Sequence, residues 1–207
     1  MARHRPQNDR GAGSRHRRDG RLFVVSSPSG GGKTTVVQAV LRELPGLVRS
    51  VSVTTRPRRP SERHGSDYRF VSAPAFGTLR ASGKLLEWAR VHEAFYGTPK
   101  APVERALARG RDVVLSLDVQ GARAVRRKYG AQAVLVFLLP PSLAALRARL
   151  TKRRTDPPDA IRRRLAAARR ELACARWYDY AIINHRLRDA IAQLKAIIMA
   201  ERIRRKR

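Results

Sequence analysis

The sequence predicts an α/β fold in which a parallel sheet is flanked by helices, and three observations carry that expectation. Leu22–Val25, Val113–Leu117 and Ala133–Leu139 are apolar runs of strand length, as expected of strands buried on both faces of a parallel sheet. These runs alternate with segments of helical period, the pattern of an α/β chain. Between the first run and the first helix stands Ser27-Pro28-Ser29-Gly30-Gly31-Gly32-Lys33-Thr34, which has the strand, loop, helix order of a phosphate-binding loop.

The first strand is expected over Leu22–Val25, and Val36, Val37, Val40, Leu41 and Leu44 place a helix behind the glycines. Consecutive glycines let main-chain N–H groups converge on phosphate oxygens, with the positive end of the helix dipole behind them. Ser29, Gly30, Gly31, Gly32, Lys33, Thr34 and Thr35 form the candidate phosphate-binding set. In it Lys33 would reach the terminal phosphates, and the Thr34 hydroxyl would meet Mg²⁺. The motif usually opens on glycine; this chain has Ser27 there.

Pro45-Gly46 ends the helix, and an extended stretch follows over Leu47–Val53. In Ser52-Val53-Thr54-Thr55-Arg56-Pro57-Arg58-Arg59-Pro60, prolines constrain a cluster of guanidinium groups. A stiff arginine loop suits a fixed anion, and it equally suits a solvated basic surface. Asp67–Val71 alternates as a strand, Pro74–Ser82 reads as a short helix closed by Gly83, and Leu85–Ala89 is a further strand holding Glu87 among apolar residues. Pattern alone leaves Glu87 open between a solvent-facing and a buried role. Tyr96-Gly97-Thr98-Pro99 reads as a turn.

A helix over Val103–Arg109 is capped by Gly110, and the apolar strand that follows ends at Asp118. Residues at the carboxyl ends of such strands line the ligand crevice of a doubly wound sheet, so Asp118 is placed to meet a metal, a nucleotide or Lys33. A helix over Ala122–Tyr129 leads into the buried strand Ala133–Leu139, closed by Pro140-Pro141. Two arginine-rich helices joined by Thr155-Asp156-Pro157-Pro158 then read as a flap that could bring guanidinium groups over phosphates as it excludes water. Most of their arginines suit a solvated face. Tyr180–Asn184 is a last short strand, before an amphipathic helix with apolar positions at Ile191, Leu194, Ile197, Ile198 and Ile203.

Composition narrows the class. A chain of 207 residues suits one domain with small inserted subdomains. One cysteine, Cys174, rules out an internal disulfide and fits a reducing compartment. No stretch approaches a membrane span, and the N-terminus has no signal-peptide core; the expected location is cytoplasmic. Against 16 Asp and Glu stand 45 Lys and Arg, a formal net charge of +29. Such a surface attracts polyanions, although arginine-rich coding bias decorates any fold in the same way. Residues 1–20 have the composition of a disordered basic arm, open to nucleic-acid contact, to targeting or to no specific role.

Taken in order, Ser52-x-Thr54-Thr55-Arg56-x-x-Arg59, Gly65-x-Asp67-Tyr68-x-Phe70-Val71, Glu87-Trp88, Tyr96-Gly97-Thr98 and Asp118-x-Gln120-Gly121 resemble guanylate kinase. The resemblance runs from Arg21 to the C-terminal helix. It implies a P-loop NTPase core that binds ATP, a small mixed α/β insert that binds GMP, and a helical lid. Core would occupy 21–50, 102–141 and 169–207, the insert 51–101 and the lid 142–168. By matched motif, Arg56, Arg59, Tyr68 and Tyr96 would hold the GMP phosphate, while Ser52, Glu87, Thr98 and Asp118 would meet the guanine. Arg149, Arg153 and Arg164 match the lid arginines, which with Lys33 would act on the transferring phosphoryl group, and Asn184 matches a residue near adenine. The implied reaction is transfer of the ATP γ-phosphoryl to GMP, and by extension to dGMP, with Mg²⁺.

A guanine-binding carboxylate also makes physical sense. It can accept from the N1–H and the 2-amino group, which adenine lacks, so Glu87 would discriminate by repulsion as well as attraction. Two departures from the family pattern stand out: Ser116 where a second acid is frequent, and His185-Arg186 after Asn184 where acids are frequent. A binding module of the same family would lack a working phosphate loop, whereas Gly32-Lys33-Thr34 is intact here. A nucleic-acid-associated basic protein is the other reading of the charge. The oligomeric state is left open.

Overall fold

The computed structural model describes residues 19–91, 93–152 and 157–204. Most of the basic arm and the candidate Arg153 lie outside that set.

Five strands form a fully parallel sheet in the order β2-β7-β1-β8-β9: β1 (Leu22–Ser26), β2 (Leu47–Arg49), β7 (Asp112–Ser116), β8 (Ala133–Leu139) and β9 (Tyr180–Ile183). Strand period two divides its side chains cleanly. Phe23, Val25, Val114, Val134, Val136 and Leu138 face one core with α1 (Lys33–Glu43) and α7 (Leu187–Ile203). Leu22, Val24, Val113, Leu115, Leu135 and Phe137 face the other, with α3 (Lys100–Ala108) and α4 (Val119–Tyr129). Both faces are covered, which is why these strands read as unbroken apolar runs.

A second sheet of order β4-β3-β6-β5 stands apart, built from β3 (Val53–Thr54), β4 (Arg69–Phe70), β5 (Leu85–Val91) and β6 (Ala94–Pro99). Its small core gathers Val53, Phe76 and Leu85 beneath α2 (Ala73–Ala81). The helix is capped by Ser72, whose hydroxyl accepts from Ala75 N at 3.3 Å. Helices α5 (Leu143–Lys152) and α6 (Pro158–Ala173) share a fourth cluster of Leu146, Leu150 and Ala168.

Several local expectations change. Tyr96-Gly97-Thr98-Pro99 forms the last four residues of β6, not a turn, because it pairs with both β3 and β5. The stretch expected as one extended segment over 47–53 divides between two sheets. Strand β4 covers only Arg69–Phe70, and β7 ends at Ser116. Helices α3 and α4 each begin three residues before the expected start, since their first turns carry polar or proline residues that hide the apolar period. Cys174 opens a 3-10 turn that follows α6.

Candidate active site

Helix α1 has no side-chain cap; its N-cap is Gly32, held at φ +92°. The first N–H groups of α1 therefore open onto the loop without an internal acceptor, and together with the dipole they form an anion site. Gly32 cannot be replaced freely, since a Cβ there would meet Asn184 Nδ2 at 2.5 Å. The buried Asn184 amide donates to Gly31 O at 2.9 Å, which locks the loop to the end of β9. Ser27, in the place usually held by glycine, turns its hydroxyl onto Pro28 O at 3.2 Å.

Lys33 Nζ donates to Leu117 O at 2.7 Å. Burial pushes its pKa down, against the opposing pull of Asp118 and Glu171. Asp118 is not the end of a strand: it is the N-cap of α4, accepting from Gly121 N at 2.8 Å.

On the second sheet, Glu87 and Thr98 face each other across the β5–β6 pair. Thr98 Oγ1 donates to Glu87 Oε1 at 2.6 Å, and Glu87 is only 6% exposed. Burial pushes the Glu87 carboxyl up to about 7, opposed by the Thr98 hydroxyl and assisted by the charge on Asp118. Gly121 on α4 leaves room for this carboxylate, because a Cβ there would sit 2.7 Å from Glu87 Oε2.

The arginine loop is organised, not merely solvated. Arg56 Nε donates to the Tyr96 hydroxyl at 3.1 Å, Nη1 to Pro57 O at 2.6 Å and Nη2 to Glu62 Oε1 at 2.7 Å. Its guanidinium lies over the rings of Tyr68 and Phe70, 5.6 and 5.8 Å from their centroids. Tyr68 meets Tyr96 edge-on at 6.0 Å.

One cavity of about 1170 Å³ joins these parts. Ser29, Lys33, Thr34 and Thr35 line one part of it, and Ser52, Arg56, Arg59, Tyr68, Glu87, Tyr96 and Asp118 the rest. Arg164 of α6 also lines it. Arg149 does not; its Nη2 donates to Asn184 O at 2.9 Å. Thr98 stands behind the lining residue Glu87, and Asn184 holds Gly31 in the loop.

The lining also includes charged residues that the sequence reading does not single out, among them Arg49, Glu62 and Glu171. Arg49 holds Asp67 O at 2.8 Å. Glu62 carried a signal, as an acid three residues after Arg59 and six after Arg56 in an otherwise basic loop.

The donor set near the loop fits Mg²⁺ with ATP. Ser116, Thr34 and Asp118 offer hard oxygen ligands, while the described residues contain no cluster of three or more His, Cys, Asp or Glu able to hold a metal. Mg²⁺ in phosphate sites characteristically takes one or two protein oxygens and leaves the rest to phosphates and water.

The guanylate kinase family model matches residues 19–201. A guanylate kinase of Bradyrhizobium diazoefficiens is 47% identical over 190 residues, covering 92% of this chain and 87% of that protein. One from Symbiobacterium thermophilum is 49% identical over 185 residues, covering 89% and 87%. The crystal structure of guanylate kinase from Anaplasma phagocytophilum superposes with a TM-score of 0.78 at 33% identity, covering 90% of this chain and 88% of that one. With the phosphate loop and the arginine–tyrosine cluster opening into one cavity, these likenesses establish that the chain belongs to the guanylate kinase family.

Proposed function

We propose that this cavity transfers the γ-phosphoryl group of Mg-ATP to GMP, with its residues divided between donor, acceptor and base. The carrying observation is that a single cavity contains both an anion-binding helix terminus and a buried carboxylate beside a guanidinium–phenol cluster.

Ser29 to Thr35 would cradle the donor phosphates, Lys33 would neutralise their charge, and the Thr34 hydroxyl would be a metal ligand. Mg²⁺ bound with ATP would draw charge from the phosphate oxygens. Arg56, Arg59, Tyr68 and Tyr96 hold the acceptor phosphate in this reading. Glu87, positioned by Thr98, accepts from the guanine N1–H and 2-amino group, with Ser52 and Asp118 beside it. Asn184 supports the adenine end by holding the Gly31 carbonyl.

The acceptor oxygen is already anionic, so the site needs no strong general base. Catalysis is positioning and charge neutralisation. Arg164 is ready to contribute from the cavity wall. Arg149 must leave the Asn184 carbonyl to do so, and Arg153 is assigned from the motif alone. Deoxy-GMP should serve as well, as the residues named contact phosphate and base. The cytoplasm, which holds both nucleotides, is the setting this substrate pair suits.

The experiment is ADP release from Mg-ATP against GMP, dGMP, AMP, CMP and UMP in turn. Turnover confined to the guanine nucleotides is expected. Comparable turnover with AMP would reject the base assignment.

A further inference from the structure

Arg56 has five N–H groups, and their partners can be counted. Nε–H is spent on the Tyr96 hydroxyl, one Nη1–H on Pro57 O and one Nη2–H on Glu62 Oε1. One N–H remains on each terminal nitrogen. Tyr96, having accepted from Nε, keeps its own hydroxyl proton to donate. The fork offered to an anion is therefore fixed by the three contacts already made.

Among the described residues Glu62 is the only ion-pair partner of that guanidinium, and it does more than pair with it. Its second oxygen, Oε2, accepts from Arg59 N at 2.9 Å. The pair is largely enclosed, with 18% of the Arg56 side chain and 14% of the Glu62 side chain exposed. Burial works against ionisation of Glu62, but hydrogen bonds from Arg56 and from Arg59 N outweigh it and hold the carboxyl below its ordinary value.

We propose that Glu62 is a positioning residue of the acceptor-phosphate site: one carboxylate grips the Arg56 side chain and the Arg59 main chain, and so sets both arginines toward the same phosphate. The inference rests on the acceptor-phosphate role given to Arg56 and Arg59. A bidentate contact needs both guanidinium nitrogens at defined positions, and a loop bounded by Pro57 and Pro60 without Glu62 would fix only its backbone. Arg59 itself is exposed, so its main-chain anchor is what limits where its side chain can reach.

The test compares GMP with guanosine, which has the same base and sugar and no phosphate. Calorimetric affinities for both are measured at pH 8 on the wild-type chain, Glu62→Gln and Glu62→Asp, with KM for ATP alongside. Glutamine turns an amide N–H₂ toward one of the two donors, so its grip fails at one end. Glu62→Gln is expected to weaken GMP roughly 10- to 100-fold, the range typical when the outer partner orienting a ligating side chain is lost. Guanosine affinity and KM for ATP should stay at wild-type values, and Glu62→Asp should recover part of the loss. Equal weakening of GMP and guanosine would overturn the proposal, because Glu62 would then only hold the second sheet together. Unchanged or tighter GMP binding would overturn it too, the carboxylate being then a bystander or a competitor of the phosphate. If the wild type binds guanosine as tightly as GMP, the acceptor reading fails and carries the inference with it.

Discussion

Thr98 Oγ1 donates to Glu87 Oε1 at 2.6 Å, between two side chains almost wholly withdrawn from water. The bond follows from strand register, since residues opposed on one face of an antiparallel pair bring their side chains together. It occupies one carboxylate oxygen and leaves Oε2 beside Gly121. The result is a carboxyl held in place by a neutral donor, with no cationic partner among the described residues, and its behaviour should depend on pH.

Burial lifts Glu87 from its ordinary 4.5 to about 7. In the proposed role Glu87 accepts from guanine in its ionised form, so KM for GMP should rise as pH falls below 7, approaching tenfold per unit. The stability effect has the opposite sign. Between about 4.5 and 7 the native state binds more protons than the unfolded chain, so this contribution is present at low pH and lost as pH rises through 7. It is at most about 3 kcal/mol at 1.36 kcal/mol per unit. Kinetics and thermal melts from pH 5.5 to 8 on the wild type and Glu87→Gln check both; the variant should flatten both profiles.

Gly121→Ala should act on the same carboxylate from the other side. Alanine normally stabilises a helix interior relative to glycine by about 1 kcal/mol. Here the new methyl would meet Glu87 Oε2 at 2.7 Å and Leu117 Cβ at 3.3 Å, so the gain should vanish. KM for GMP should rise about tenfold or more with KM for ATP unchanged, as steady-state kinetics with each substrate varied would show.

Asn184→Ala removes the buried donor to Gly31 O. An orphaned buried acceptor costs about 1–3 kcal/mol, which in a chain of this size corresponds to a fall in Tm of roughly 2–12 °C. KM for ATP should increase while KM for GMP holds. Calorimetry for stability and substrate kinetics for the split would check this. A loss on the GMP side instead would detach Asn184 from the phosphate loop.

Lys33→Met should leave a folded protein, because it replaces a half-buried ammonium whose charge burial disfavours. Turnover should fall by about 10²- to 10³-fold or more, the loss typical of one preorganised charge-stabilising donor. Single-turnover phosphoryl transfer checks the rate, and circular dichroism checks the fold.

The fold was largely legible because its parallel strands are buried on both faces, so Leu22–Ser26 and Ala133–Leu139 announce themselves without context. The phosphate loop was legible because its chemistry is local: Gly32, Lys33 and Thr34 work through adjacent backbone and one helix end. The second sheet was harder. Tyr96–Pro99 contains glycine and proline and reads locally as a turn, yet pairing on two sides makes it strand. Asp118 reads as a strand end because its cap partner, Gly121 N, belongs to a helix whose first turn carries a glycine and shows no helical start. The environment of Glu87 was invisible for a similar reason, as its neighbours Thr98 and Gly121 lie 11 and 34 positions away and meet it only through strand pairing and helix packing. Glu62 was overlooked because one acid among many arginines looks like surface charge until Arg56 and Arg59 N are seen to converge on it.

The proposed base selection rests on Glu87, whose buried carboxyl lines the cavity. The most direct measurement is the ratio of kcat/KM for GMP to that for AMP, with Mg-ATP saturating at pH 8, in the wild type and in Glu87→Gln. The wild-type ratio should be on the order of 10⁴ or more, as for sites that reject a mispaired polar partner. Glu87→Gln should reduce it at least a hundredfold, chiefly through KM for GMP. A ratio that survives the substitution would contradict the account, and would move base selection to other groups in the cavity.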